Sequence, residues 1–248
     1  MKTRDQGSAL RKAPHFAPLY RQVRALLVQR IARGRWRPGE LIPSEIQIAA
    51  ELGVSQGTVR KALDEMTVEN LLVRQQGRGT FVAQHDEARI LFQFFKIVPD
   101  AGEPVFPESD LRSCLEAPAD AAEAGHLGVK TGAPAIRIAR VRSLAGRPVI
   151  SEYICVSAAL FPGMAADGAL PNNLYAYYAD RYGVTIAGGR ERIKALPAAP
   201  EDAALLGLPA AAPVLLIDRV ATALDGAPVE WRRSYCATEA CSYLSILR

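Results

Sequence analysis

The chain has 248 residues, 49% of them hydrophobic, and a formal net charge of +4. That length allows two domains, and that apolar content excludes global disorder. No apolar run is long enough to span a bilayer and no secretory stretch opens the chain, so a soluble, cytoplasmic protein without a membrane partner is expected.

The charge is uneven. Residues 1–83 hold 14 Lys/Arg against 7 Asp/Glu, a balance of +7, and residues 84–248 hold 16 against 19, a balance of −3. A basic front half on a mildly acidic back half suits a DNA-binding module joined to a second unit. Cys114, Cys155, Cys236 and Cys241 form no C-x-x-C pair, and the three histidines are scattered. Reduced structural thiols are expected, with no metal site and no cofactor, although Cys236 and Cys241 are near enough in sequence to approach each other.

In chain order, residues 1–14 are polar and basic without periodicity and read as a mobile tail. A DNA-binding domain is expected over 15–83. Leu19, Val23, Leu26, Leu27 and Ile31 share one helix face, with Arg21, Arg24 and Arg30 off that stripe. Gly34 supplies a left-handed exit, and Pro38-Gly39 makes a turn. Ser44 caps a second helix with Gln47 closing a capping box; Ile48, Ala49 and Leu52 are its core face and Gly53 its end. Ser55 caps a third helix with Val59, Ala62, Leu63 and Met66 inward. Its first turns present Gln56, Gly57, Thr58 and Arg60 outward, followed by Lys61, in the geometry of a recognition helix. Strands at 71–75 and 80–82 flank Gln76-Gly77-Arg78-Gly79, a flexible hairpin with one cation at its tip.

The segment from Pro18 to Val82 resembles the winged helix of the GntR family of bacterial transcription regulators. The resemblance rests on Leu41-Ile42-Pro43-Ser44-Glu45, Leu52-Gly53-Val54-Ser55, Thr58-Val59-Arg60 and Gly77-Arg78-Gly79-Thr80-Phe81-Val82. It implies double-stranded operator DNA as partner, with contacts from Ser55, Thr58, Arg60, Gly77 and Arg78. Arg60 suits both base reading and a phosphate clamp. Ile46 and Gln56 stand where the family usually has arginine, which implies an operator unlike the commonest one, because glutamine pairs with adenine and arginine with guanine.

Residues 84–89 read as a linker into a second domain over 90–248, where Phe92, Phe94 and Phe95 are expected to anchor packing. This domain echoes itself. Leu127-Gly128-Val129 recurs as Leu206-Gly207-Leu208, Ala133-Pro134 as Ala212-Pro213, Arg140-Val141 as Arg219-Val220, and Gly146-Arg147-Pro148-Val149 as Gly226-Ala227-Pro228-Val229. Two copies of helix, strand, turn, strand predict one mostly antiparallel sheet covered by helices on one face. Strand parity puts Arg140 and Arg142 on the face of Ile136 and Ile138, and Glu152 on the face of Ile150, Ile154 and Val156. An even register sets Arg140 opposite Glu152. Such charges are either a structural ion pair, a solvated edge, or the lining of a pocket for a small anion. Lys96 reads as a solvated lysine or as extra positive charge for that pocket.

Residues 90–247 resemble the UTRA effector-binding domain of the HutC-type branch of GntR regulators, which is similar in fold to chorismate lyase. The matching stretches run from Gly132-Ala133-Pro134 and Arg140-Val141-Arg142 through Glu152-Tyr153, Leu160-Phe161-Pro162-Gly163, Leu174-Tyr175 and Tyr182-Gly183-Val184 to Gly226-Ala227-Pro228-Val229-Glu230. The resemblance implies an α+β chain and an effector pocket of Arg140, Arg142, Glu152, Tyr175 and Glu230, with Asn173 where the family often has serine. Cys236 and Glu239-Ala240-Cys241 stand where it often has tyrosine and Asp-Arg-Tyr. A ligand-responsive regulator, most often a repressor, reading DNA as a homodimer and switched by a carboxylate or phosphate-bearing metabolite, is the resulting expectation. The alternatives are an effector-independent DNA binder and a lyase-like enzyme; no catalytic residue set is visible.

Overall fold

The computed structural model describes residues 18–32, 34–69, 71–83, 94–103 and 105–245. The expected tail at 1–14, the linker at 84–89 and Phe92 lie outside the described residues. The described residues divide into two compact units, residues 18–83 with Leu224–Gly226 and the remainder.

The first unit holds helices α1 (Leu19–Ala32), α2 (Glu45–Leu52) and α3 (Gln56–Val68), then the hairpin β1 (Leu72–Gln75) and β2 (Gly79–Val82). Local chemistry sets the helix ends. Ser44 and Gln47 form a reciprocal capping box, and Gly53 ends α2 in the left-handed conformation at φ 65°. The Ser55 side chain accepts from the Thr58 amide to start α3. Val23, Leu27, Val28 and Ile31 of α1 are buried, as are Ile48 and Leu52 of α2 and Val59, Leu63 and Met66 of α3. Two expectations for α1 change. Leu19 is exposed and Val28 takes the inward place. Arg30, expected off the apolar stripe, is buried because both its terminal nitrogens hold Glu51 at 3.0 and 3.1 Å and its charge lies over Trp36.

The second unit is built on one six-stranded antiparallel sheet, ordered β4-β5-β6-β9-β8-β7. Its strands are β4 (Glu108–Pro118), β5 (Pro134–Leu144), β6 (Arg147–Ser157), β7 (Ile186–Pro197), β8 (Pro213–Ala223) and β9 (Pro228–Ala237). The helices are α4 (Ala121–Leu127), α5 (Leu174–Tyr182) and α6 (Pro200–Leu206), with a 3-10 turn at Met164–Ala166. A small ribbon pairs β3 (Ile97–Pro99) with β10 (Cys241–Tyr243).

The order of the sheet is a palindrome of two repeats. Each repeat runs strand, helix, strand, strand, and the last strands of the two, β6 and β9, pair at the centre. The echo therefore begins one strand earlier than the sequence motifs suggested, at β4 and β7. Helices cover both faces, not one. α4 and α6 pack on the face of Ala135, Cys155 and Val214. α5 and the 3-10 turn cover the other, where Tyr175, Tyr178, Phe161 and Met164 meet Ile136, Ile138, Ile154 and Val156. α5 lies in the connection between repeats and has no counterpart, so a repeat-based reading could not place it. Each fully buried aliphatic or aromatic side chain here contributes about 1.5–3 kcal/mol.

Candidate DNA interface and effector site

In the first unit Gln56, Gly57 and Arg60 are exposed at the start of α3, and Thr58 is half-buried. The Ser55 and Thr58 hydroxyls lie 2.8 Å apart. Lys61, expected beside them, turns toward α1, with its ammonium 4.1 Å from the centre of the Tyr20 ring. In the wing Gly77 adopts φ 72° and Gly79 φ 113°. The Gly79 φ of 113° is what favours glycine, since the nearest atom to an added Cβ, Leu41 Cδ1 at 2.6 Å, ends an exposed side chain that can move aside. Arg78 is exposed at the tip, its guanidinium 6.0 Å from the Phe81 ring. Ile46 is 66% exposed.

Behind these groups stands Glu45, the first residue of α2. Its carboxylate accepts from Arg60 Nε at 2.9 Å, Gln56 Nε2 at 3.2 Å and Arg74 Nη2 at 3.4 Å. Arg74 also meets Asp64 at 2.6 Å.

In the second unit, Arg140 stands opposite Glu152 between β5 and β6, as an even register requires, and the two are ion-paired. A β-bulge produces that register. The two-residue turn Ala145-Gly146 aligns Leu144 with Arg147 and Ser143 with Pro148, and the extra residue Val149 then shifts every later pair by one. Without it Arg140 would face Ser151.

Four arginines converge on this face. Arg232 donates to Glu152 at 3.1 Å and to Glu230 at 2.7 and 2.8 Å. Arg219 pairs with Glu191 at 2.5 Å and donates to the Phe94 carbonyl. Arg140 pairs with Glu152 and donates to the Asn172 carbonyl at 3.1 Å. Arg142 differs. Its Nη2 reaches the Asn172 side-chain oxygen at 3.4 Å and the Pro107 carbonyl at 3.5 Å, its charge lies 4.9 and 5.1 Å from the Phe95 and Phe106 rings, and its Nε has no hydrogen-bond partner. Among the described residues it makes no ion pair, though it is 97% buried.

Among the described residues, three carboxylates thus face four guanidinium groups, with Lys96 also at the cavity. The electrostatics follow. Burial pushes Glu152 upward, but Arg140, Arg232 and Arg142 outweigh it and hold the carboxyl well below the usual range. Burial and the neighbouring Arg140 push Arg142 well below the ordinary arginine value. The group nonetheless stays a cation, because a guanidinium does not deprotonate in proteins.

A narrow cavity opens among these groups. Arg140, Arg142, Glu152, Asn173 and Tyr175 of the expected set line it, and so does Lys96. Asn173 also caps α5 by accepting from the Ala176 amide at 3.0 Å. Glu230 departs from expectation. It does not line the cavity but lies fully buried behind Arg232, holding the hydroxyls of Tyr175 and Tyr178 at 3.0 Å each. The resemblance implies a pocket that involves Glu230, but here its oxygens are taken up by the Tyr175, Tyr178 and Arg232 donors.

Sequence reasoning missed Arg219, Arg232, Ser234, Asn172 and the Phe106 wall, all of which line the cavity. The internal echo carried a signal for two of them. Arg219 is the repeat partner of Arg140, and Arg232 occupies the place of Glu152 in the second hairpin. Asn172, one residue before the expected Asn173, lies in a connection that no periodicity describes.

A winged helix-turn-helix followed by a duplicated sheet domain with a cation-rich internal cavity defines a DNA-binding transcription regulator with a domain of the effector-binding type. Residues 19–82 match the family described as bacterial regulatory proteins, gntR family, and residues 105–242 match the UTRA domain. The chain is 33% identical over 208 residues to the histidine utilization repressor of Pseudomonas putida, covering 82% of each chain. It is 30% identical over 234 residues to the HTH-type transcriptional regulator SmoD of Agrobacterium fabrum, covering 93% of this chain and 97% of that one. Among solved structures, PhnF of Mycobacterium smegmatis aligns over 91% of this chain and 99% of its own at 27% identity and TM-score 0.54. The ligand-binding domain of a GntR-family regulator from Bordetella bronchiseptica aligns over 63% of this chain and 98% of its own at 26% identity and TM-score 0.60. The chain belongs to the GntR family of bacterial regulators, in the HutC-type branch that carries a UTRA domain. It is a regulator and not an enzyme. Among the described residues no helix is long and apolar enough to cross a membrane.

Proposed function

We propose that this protein is a repressor that reads operator DNA as a homodimer and is switched by a small anionic metabolite bound beside Arg142. Residues 15–83 form the operator-reading unit in this reading, with Ser55, Gln56, Gly57, Thr58, Arg60, Lys61, Gly77 and Arg78 as its contacts. One winged helix covers a half-site, so a second copy completes the operator.

Arg142 carries the effector reading. A buried cation without a counter-ion costs several kcal/mol, and a bound anion would remove most of that cost. The planar guanidinium of Arg142 suits a carboxylate, with Arg140, Arg219 and Arg232 fixing the surrounding field. Phe94, Phe106 and Leu174 add apolar walls for the body of the ligand. The four arginines and Lys96 outnumber the three acids, so the cavity favours an anion, and the planar fork of Arg142 favours a carboxylate. The relatives named as histidine utilization repressors support amino-acid catabolism as its source.

Thermal-shift measurements on the full chain, with a panel of small carboxylates and sugar phosphates, test this reading. A carboxylate is expected to raise Tm and to release operator DNA, and Arg142→Met is expected to lose both responses. Stabilisation by sugar phosphates alone, or an unchanged response in Arg142→Met, counts against it.

A further inference from the structure

Glu45 is an acid on a face expected to meet a polyanion. By charge alone it should weaken DNA binding, since each DNA contact gains from cations. Its position explains its presence differently. It is the first residue of α2, yet its oxygens reach across to α3 and to the wing strand β1, accepting from Gln56, Arg60 and Arg74.

The atoms engaged are informative. Arg60 uses Nε, the inner nitrogen, so its two outer nitrogens stay available as a fork. A fork of that kind matches the O6 and N7 acceptors of guanine, whereas a phosphate clamp needs no fixed orientation. Gln56 uses one amide hydrogen on Glu45 and keeps its oxygen and its second hydrogen, the pair that matches adenine. Arg60 remains 57% exposed at the side chain while Glu45 is only 21% exposed, so the acid lies beneath the readers and not between them and solvent.

We infer that Glu45 is a positioning residue that sets operator specificity by holding Arg60 as a guanine reader beside Gln56. The inference rests on the DNA-reading role given to α3. An acid at a helix N-terminus also stabilises the helix dipole, which would make Glu45 merely structural. The two roles differ in what they move.

The experiment begins with selection of a preferred duplex from random DNA by the wild-type full chain. Affinity for that duplex and for a scrambled one is then measured against salt for the wild type, Glu45→Gln and Arg60→Ala, with Tm recorded for each. Glu45→Gln is expected to lower the ratio of selected to scrambled affinity by about ten- to a hundredfold. Its affinity for scrambled DNA should hold or rise, because a negative charge has left the interface. Arg60→Ala should relax the same base pair and show little further loss when combined with Glu45→Gln. A specificity ratio within about twofold of wild type, or an equal loss on both duplexes with a lowered Tm, overturns the inference and leaves Glu45 a helix-stabilising acid. A wild-type chain that selects no sequence at all overturns the reading of α3 itself.

Discussion

Arg219 on β8 stands directly opposite Arg232 on β9, the position at which the first hairpin sets Arg140 against Glu152. Like charges across a strand pair repel. Each is tolerated through acids reached from elsewhere, Glu191 for Arg219 and both Glu152 and Glu230 for Arg232. Burial pushes both guanidinium groups down. The Tyr175 hydroxyl and Glu191 outweigh it around Arg219, and Glu152 and Glu230 outweigh it around Arg232, so both end above the ordinary arginine value. The duplication thus placed a third cation next to a second, and the surrounding acids make one connected network of them.

Arg232→Ala follows directly from that network. Glu230 is fully buried and would keep only the two tyrosine hydroxyls. The expected cost is about 3–5 kcal/mol in urea unfolding, the range for a buried pair that loses one partner. A cost below about 1 kcal/mol would mean that Glu230 takes up a proton or another partner at little expense.

Arg142→Met should act in the opposite direction. Among the described residues the arginine makes no ion pair, and methionine fills similar space between Phe95 and Phe106. Stability of the ligand-free protein is expected to rise by about 1 kcal/mol, less whatever cation–π attraction is lost. Calorimetry of the variant checks this, and a clear fall in Tm would show that the aromatic pair compensates the buried charge.

The Glu123–Arg137 pair gives the second unit an acid-sensitive element on the face that α4 covers. The hydrogen bond from Arg137 lowers the Glu123 carboxyl from 4.5 to about 2. A folded value below the unfolded one stabilises fully above about pH 4.5 and is lost as pH falls toward about 2. Glu123→Gln should cost about 1–2 kcal/mol at neutral pH, between the values for exposed and buried pairs. The gap between wild type and variant should close on acidification. A gap independent of pH would assign the stability to packing.

Gly79→Ala probes the wing. Its φ of 113° and the approach of Leu41 both oppose a Cβ. The expected loss is about 1–3 kcal/mol, together with weaker operator binding. Adding Leu41→Ala should restore only part, because the backbone angle stays unfavourable. Full recovery in the double variant would make the side-chain clash the whole cause.

The first unit was legible almost residue by residue. Ser44, Gln47, Gly53 and Ser55 act within one helical turn of where they lie, so capping and termination can be read from adjacent letters. The failures there were tertiary. Arg30 lies on a polar stretch of α1, and only Glu51, a residue of another helix, draws it inside. Glu45 reads as an ordinary first-turn acid until α2 and α3 are set side by side.

In the second unit the letters determined the duplication, the strand faces and the candidate charges, because alternation along a strand and a repeated motif are properties of one chain segment. What only the folded sheet decided is which charges meet. A strict two-residue turn would have put Arg140 opposite Ser151, and the bulge at Val149 moved it to Glu152. One inserted residue reverses the facing of everything beyond it, since side chains alternate with a period of two. Whether Arg142 found a partner acid was likewise settled by geometry, because charge balance at a buried site depends on which of several distant strands delivers its carboxylate there.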